Sequence, residues 1–309
     1  VGQVNPRGLE FYDRLVDALL AAGVEPWVTL FHWDYPYALY CRGGWLNRDS
    51  AGWFAEYAAA VARKLGDRVT QWMTHNEPQC TIGLGHQTGL HAPGDRLAER
   101  EWLRAGHHLL LSHGLAVKAL RAASARPCRV GFAPVGVVAI PAGDSPADVE
   151  AARLGTFAVR EKNTWNCAWW MDPVFFGRYP EDGLRLYDGS LPEIRPGDME
   201  TIRQPLDFFG VNIYHGLRVK MGAEGRPELV PEPTGHPLTA FRWPVTPEVL
   251  FWGPKFFHER YSLPIYITEN GMSNADWVAL DGKVHDPQRV DFLRRYLRQV
   301  ERACAAGIP

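Results

Sequence analysis

An α/β architecture, with buried strands covered by helices, is what this sequence predicts, and three observations predict it. Amphipathic segments at helical spacing recur along the whole chain. Short, β-rich apolar runs fall between them. The longest irregular stretches, at 78–96, 134–147 and 214–245, each begin where one of those runs ends. Alternation of this kind implies parallel strands, because each strand needs a crossover helix to return it to the same edge direction.

The elements follow in order. Residues 9–22 place Phe11, Leu15, Leu19 and Ala22 at helical spacing, and Gly23 stops the run. The run from Trp27 to Phe31 reads as a buried strand. Ser50 is the expected N-cap of a helix whose face is Phe54, Ala58, Val61 and Leu65, with Gly66 after it. Residues 69–74 read as a strand, about 97–123 as a long helix, and 129–133 as the next strand. Further strands are expected at 207–213 and 264–268. Further helices are expected near 247–260 and at 287–305, the last opened by Asp286 and Pro287. Five such strands fit a (β/α) barrel or a doubly wound open sheet. No G-x-G-x-x-G stands at a strand-to-helix junction, which removes the main signature of the doubly wound nucleotide folds. Long loops after parallel strands are where a barrel enzyme builds its site.

The chain of 309 residues suffices for one large core, and a single domain over 1–309 is expected. Its hydrophobic fraction of 46%, charged fraction of 22% and net charge of −2 are those of an ordinary globular protein. No Lys/Arg run interleaves with aromatics, so nucleic acid is not an expected partner. No apolar run approaches the roughly 20 residues of a membrane span, and no secretory signal stands at the start. The five cysteines are odd in number, widely spread and free of any CxxC pair, which reads as reduced thiols of a cytoplasmic protein. Twelve tryptophans serve either core packing or a cleft in which indole faces stack on sugar rings.

Three strands end in polar residues that a buried sheet does not need: Thr74-His75-Asn76-Glu77-Pro78, Asn212-Ile213-Tyr214, and Thr268-Glu269-Asn270-Gly271. On one barrel face, two carboxylates are what glycosidic cleavage requires. One donates a proton to the leaving oxygen; the other attacks the anomeric carbon or activates water. Each motif also has a plainer reading. Asn270-Gly271 fits a turn, Asn76-Glu77-Pro78 a strand end stopped by proline, and His32-Trp33-Asp34 a buried polar network. His107, His108 and His113 lack an HExxH pattern or an acidic ligand partner and read as structural, and no metal is expected. No Gly-x-Ser-x-Gly is present, which argues against an acyl-transfer serine.

Taken together, Leu30-Phe31-His32-Trp33-Asp34-x-Pro36, Trp72-x-Thr74-x-Asn76-Glu77-Pro78, Asn212-x-Tyr214 and Ile267-Thr268-Glu269-Asn270-Gly271 resemble glycoside hydrolase family 1, the β-glucosidase-like family. Gly43-Gly44-Trp45-Leu46-Asn47, His91-Ala92-Pro93-Gly94 and Asp172-Pro173-Val174 leading to Gly177-Arg178-Tyr179-Pro180 extend the resemblance over essentially the whole chain. It implies a (β/α)8 TIM barrel of glycosidase type and retaining hydrolysis at the non-reducing end of β-glycosides or oligosaccharides, without a cofactor. By the resemblance, Glu77 is the acid/base and Glu269 the nucleophile. Asn76 binds the 2-hydroxyl, and Tyr214 hydrogen-bonds Glu269. His32 and Trp33 hold the 3-hydroxyl region. Asn212 supports the acid/base side, and Trp243 stands at the leaving-group side.

The resemblance also implies departures. The start of the chain resembles the region after the family's second strand, and its end the approach to the last, so strands 1, 2 and 8 are missing by this alignment. Strands 27–31 and 264–268 then become open edges, and weak or lost activity and self-association are expected. A non-catalytic sugar-binding remnant is the alternative reading. Glucose, galactose, fucose or 6-phospho-sugar preference stays open.

Overall fold

The computed structural model describes residues 2–309. In chain order, these form α1 (Pro6–Ala21), β1 (Trp27–Phe31), α2 (Tyr37–Tyr40), α3 (Ser50–Leu65), β2 (Gln71–Asn76), α4 (Pro78–Ile82), α5 (Glu99–Ala123), β3 (Arg129–Ala133), β4 (Val138–Pro141) and α6 (Pro146–Phe157). There follow α7 (Cys167–Phe176), α8 (Glu181–Leu186), α9 (Asp198–Ile202), β5 (Phe209–Asn212), β6 (Gly216–Met221), β7 (Pro227–Leu229), α10 (Val249–Tyr261), β8 (Ile265–Glu269) and α11 (Pro287–Ala305). The chain folds into two compact units, one of residues 1–134 and 159–210, the other of 135–158 and 211–309.

In the first unit, β1, β2 and β3 form a parallel sheet in that order. Trp27 lies opposite Gln71 and Gln71 opposite Arg129, so the three strands start level with one another. Every residue of β2 is buried, as expected of a central parallel strand covered on both faces. The long α5 packs along α3, and Phe31 meets Trp45, Phe54 and His75 edge to face. Gly131 lets β3 approach Phe208: a Cβ at this position would stand 2.2 Å from the ring.

The histidines of α5 are structural. His107 donates to Asp198 at 3.0 Å and accepts from the Tyr179 hydroxyl at 2.9 Å; His108 bonds the Trp45 carbonyl at 2.9 Å. His113 pairs with Thr74 at 2.6 Å. Burial holds all three below their ordinary pKa, His108 at about 4 and His113 at about 3.

In the second unit, β4 pairs with β6 in parallel and β6 with β7 antiparallel. Helix α6 lies across β4 and β6, and α10 lies against β4. The start of α6 is local chemistry: Ser145 accepts the Asp148 N–H at 3.1 Å, and Pro146 fills the first helical position. α11 packs on α10 through Phe292 and Tyr296, whose rings stack at 3.8 Å. β8 pairs with β5, and each residue of β8 is only half-buried.

Most element bounds follow the expected ones within two residues, and β1, β3 and α11 match them. Ser50 is not a cap but the first residue of α3, which has Asp49 before it and no side-chain cap bond. The stretches expected to be irregular contain α4, β4 and the β6–β7 hairpin. Those strands are short, and the exposure of β6 alternates imperfectly, so their periodicity is faint in sequence. Among the described residues, β1 and β3 are the edges of the first sheet, and β5 and β8 form a two-stranded sheet.

Candidate active site

In the first unit the site residues converge at the C-terminal ends of β1 and β2. Register sets Phe31 opposite His75, which brings the next residues, His32 and Asn76, side by side. The Asn76 amide donates to His32 Nε2 at 3.3 Å. After Asn76 the backbone turns sharply. Glu77 takes the left-handed conformation, φ 45 and ψ 72, and its N–H donates to the Ala133 carbonyl at 2.8 Å. Pro78 then opens α4, where a missing N–H costs nothing. The result is a glutamate 5% exposed at the mouth of a parallel sheet, with its backbone fixed on both sides.

Trp33 is also left-handed, at φ 78. Its ring lies 5.0 Å from His32 and 5.1 Å from His91, at 37° to the latter. Its indole Nε1 is buried and has no hydrogen-bond partner among the described residues. An unpaired buried donor is costly unless something else accepts from it, and a sugar hydroxyl is an acceptor of the right kind. His91 lies on a segment that the Tyr40 hydroxyl and His86 hold by bonding Asp95 at 2.7 and 2.9 Å.

In the second unit β5 and β8 supply the rest. The Tyr214 hydroxyl donates to Glu269 Oε2. The Thr268 hydroxyl donates to Asn212 Oδ1, the Asn270 amide to the Ile213 carbonyl at 2.8 Å, and the Ile213 N–H to the Glu269 carbonyl at 3.0 Å. Glu269 is thereby locked in main chain and side chain at a strand end. A carboxylate held in this way is fixed in the direction in which it can attack. Trp243 comes from a hairpin loop, its ring 5.5 Å from Tyr214 and 5.0 Å from His215.

His32, Trp33, Asn76 and Glu77 thus gather in one unit, and Asn212, Tyr214, Trp243 and Glu269 in the other. Sequence reasoning assigned no role to His91, Thr268, Asn270 or His215. The first three lie inside quoted motifs, and that neighbourhood is the only signal they carried. Left-handed backbone marks the same places. Of the four non-glycine residues with positive φ among the described residues, Trp33 and Glu77 are candidate site residues, and Arg242 precedes Trp243. Such conformations persist only where surroundings enforce them, and they cluster at functional sites.

Residues 1–309 match the family model described as Glycosyl hydrolase family 1. Beta-glucosidase A of Thermotoga maritima is 38% identical over 309 residues, covering 100% of this chain and 68% of that protein. Thermostable beta-glucosidase B of Thermobispora bispora is 41% identical over 314 residues, covering 99% of this chain and 62% of that protein. Among solved structures, the family 1 b-glucosidase from Thermotoga maritima in complex with isofagomine lactam superposes with a TM-score of 0.86 at 38% identity, covering 100% of this chain and 68% of that one. The alternating strands and helices are therefore those of a glycosidase (β/α)8 barrel fold.

Proposed function

The chain belongs to glycosyl hydrolase family 1, and from that premise we propose that it cleaves β-glucosides from the non-reducing end by double displacement, with Glu269 as nucleophile and Glu77 as acid/base. Glu77 protonates the leaving oxygen while Glu269 attacks the anomeric carbon, giving a glycosyl-enzyme. Glu77 then takes a proton from water, which releases the sugar with retained configuration. Asn76, His32 and the Trp33 indole N–H bind hydroxyls of the sugar, and Asn212 buttresses the strand end. Trp243 receives the leaving group.

The observation that carries this reading is the Tyr214 hydroxyl bonded to Glu269 at the end of β8. A turn needs no such bond, whereas a nucleophilic carboxylate needs to be held and aimed. The unbroken family match supports one catalytic domain over 1–309. The substrate is a small β-glucoside or oligosaccharide. Among the described residues no helix is long and apolar enough to cross a membrane. Five cysteines without a disulfide support a reducing, cytoplasmic setting. A second copy of the chain is the macromolecular partner that the exposed faces support.

Incubation with a 2-deoxy-2-fluoro β-glucoside bearing an activated leaving group tests the chemistry. The expected result is one fluorosugar added to the intact mass, mapped to Glu269 and absent in Glu269→Gln. A folded sample that gains no adduct would overturn the catalytic reading and leave a sugar-binding remnant.

A further inference from the structure

Two adjacent residues of β2 send their side chains to the same helix. Thr74 Oγ1 pairs with His113 Nδ1 at 2.6 Å, and His75 Nε2 bonds Ser112 Oγ at 2.8 Å; Ser112 and His113 are neighbours on α5. In a regular strand, adjacent side chains point to opposite faces. The register shows where that alternation breaks. Met73 lies opposite Gly131 and Asn76 opposite Ala133, so the stretch of β2 is one residue longer than the stretch of β3 it faces. This is a β-bulge at Thr74 and His75. Against β1 the same stretch keeps its register, with Thr29 opposite Met73 and Phe31 opposite His75. A bulge re-aims the side chains beside it, and Glu77 follows at once in its left-handed conformation.

The bond from His75 has one direction. Ser112 has a single hydroxyl proton and donates it to the Leu109 carbonyl at 2.7 Å, so it accepts from the His75 Nε2–H. Burial, with the charge of His113 adding to it, holds His75 well below its ordinary pKa, so the ring is neutral and the bond does not open and close with pH near neutrality. Its Nδ1 is buried without a hydrogen-bond partner among the described residues. The ring is enclosed by Phe31 at 5.4 Å, Trp45 at 5.8 Å and Phe54 at 4.4 Å. An apolar side chain would suit that enclosure better. A buried ring that leaves one nitrogen unpaired is kept for the bond its other nitrogen makes.

We propose that His75, through Ser112, is a positioning residue for Glu77: the bond anchors the bulge to α5 and so fixes where the strand end presents the carboxyl group. The inference rests on the assignment of Glu77 as acid/base made above. The backbone is then held by the His75 ring on α5, by the Asn76 amide on His32 Nε2 at 3.3 Å, and by the Glu77 N–H on the Ala133 carbonyl at 2.8 Å. Loss of the first tie lets the bulge relax toward a regular strand, in which every following side chain changes its aim. A general acid works only within hydrogen-bond reach of the oxygen it protonates. A small displacement of Glu77 is therefore felt in the acid step and not in the attack by Glu269.

Values of kcat/KM for phenyl and 2,4-dinitrophenyl β-D-glucopyranosides test this, because dinitrophenolate leaves without a proton and phenolate needs one. His75→Leu fills the space without a donor. It should lower kcat/KM for the phenyl substrate by about ten- to a hundredfold and leave the dinitrophenyl substrate nearly unchanged. Ser112→Ala removes the acceptor with the ring in place and should repeat the pattern, which decides the matter if the Leu variant does not fold. His75→Gln, whose amide can donate to Ser112, should restore most of the loss. Equal losses on both substrates, or a lower thermal midpoint with an unchanged ratio, overturn the proposal and leave His75 as packing alone. Crystal structures of the parent chain and His75→Leu ask the same question without turnover: Glu77 displaced from its bond to Ala133 supports the role, and Glu77 unmoved overturns it. A parent chain that hydrolyses neither substrate and gains no fluorosugar on Glu269 overturns the catalytic reading instead, and the position of Glu77 in those two structures then decides the role of His75.

Discussion

At the scale of single residues, the chemistry turns on how each carboxylate is held. Glu269 receives a hydroxyl from Tyr214, and a hydrogen bond to a charged group contributes about 1.5–3 kcal/mol. Tyr214→Phe should therefore lower kcat/KM by roughly ten- to a hundredfold with little change in thermal midpoint. Steady-state kinetics beside a melting curve checks this, and a large fall in midpoint would mark the tyrosine as structural. In the proposed mechanism Glu77 protonates the leaving oxygen, so Glu77→Gln should cost about 10²–10⁴ in the first step for poor leaving groups. The loss should shrink as the leaving group becomes more acidic. A loss independent of leaving-group acidity would contradict its role as the acid. Both glutamates could be proposed from sequence because each stands inside a motif, and the structure places each at a strand end. His91 and His215 could not, because ring contacts join them to tryptophans 58 and 28 positions away.

At the scale of elements, the sheet of the first unit depends on close approach and on neutral buried histidines. Gly131→Ala would drive a methyl into the Phe208 ring and should destabilise by about 1–3 kcal/mol. Phe208→Leu in the same chain should recover part of that loss, and thermal melts of the single and double variants would show it. Burial holds His75 well below its ordinary pKa, with the charge of His113 adding to the effect, and it holds His113 at about 3. In the unfolded chain both titrate near 6.5. The unfolded state thus binds more protons below that pH, so stability is intact above it and falls as pH drops from 6.5 toward 4. The slope should reach about 1.4 kcal/mol per pH unit for each buried histidine. His113→Asn should flatten the profile by one such increment, and an unaltered slope would contradict the assignment. Helix and strand positions were legible wherever the apolar period was strong. The β6–β7 hairpin escaped because β7 has three residues and only half-buried or exposed positions, too few to show a period.

At the scale of the whole molecule, the informative feature is apolar surface left in water. On α11, Phe292 and Tyr296 face α10, while Val290, Leu293 and Leu297 lie on another side, Leu297 being 62% exposed. A helix with two apolar faces buries only one against a single neighbour. The spacing of three and four residues from 290 to 297 is that of a coiled-coil seam, which a like helix complements. β8 adds a half-buried strand bordered by one partner, and β1 is likewise at the edge of its sheet. Phe11, Tyr12 and Leu15 of α1 are exposed as well. Self-association through α11 is therefore expected to rise with concentration and with salts that strengthen burial. Light scattering coupled to size exclusion should show species larger than the 34.8 kDa monomer. Leu293→Glu with Leu297→Lys should return them to monomer without lowering the thermal midpoint, because both side chains are exposed in the isolated chain. If association persisted in that double variant, the edges of β1 and β8 would carry it instead. A chain monomeric at every concentration would remove the second copy as a partner.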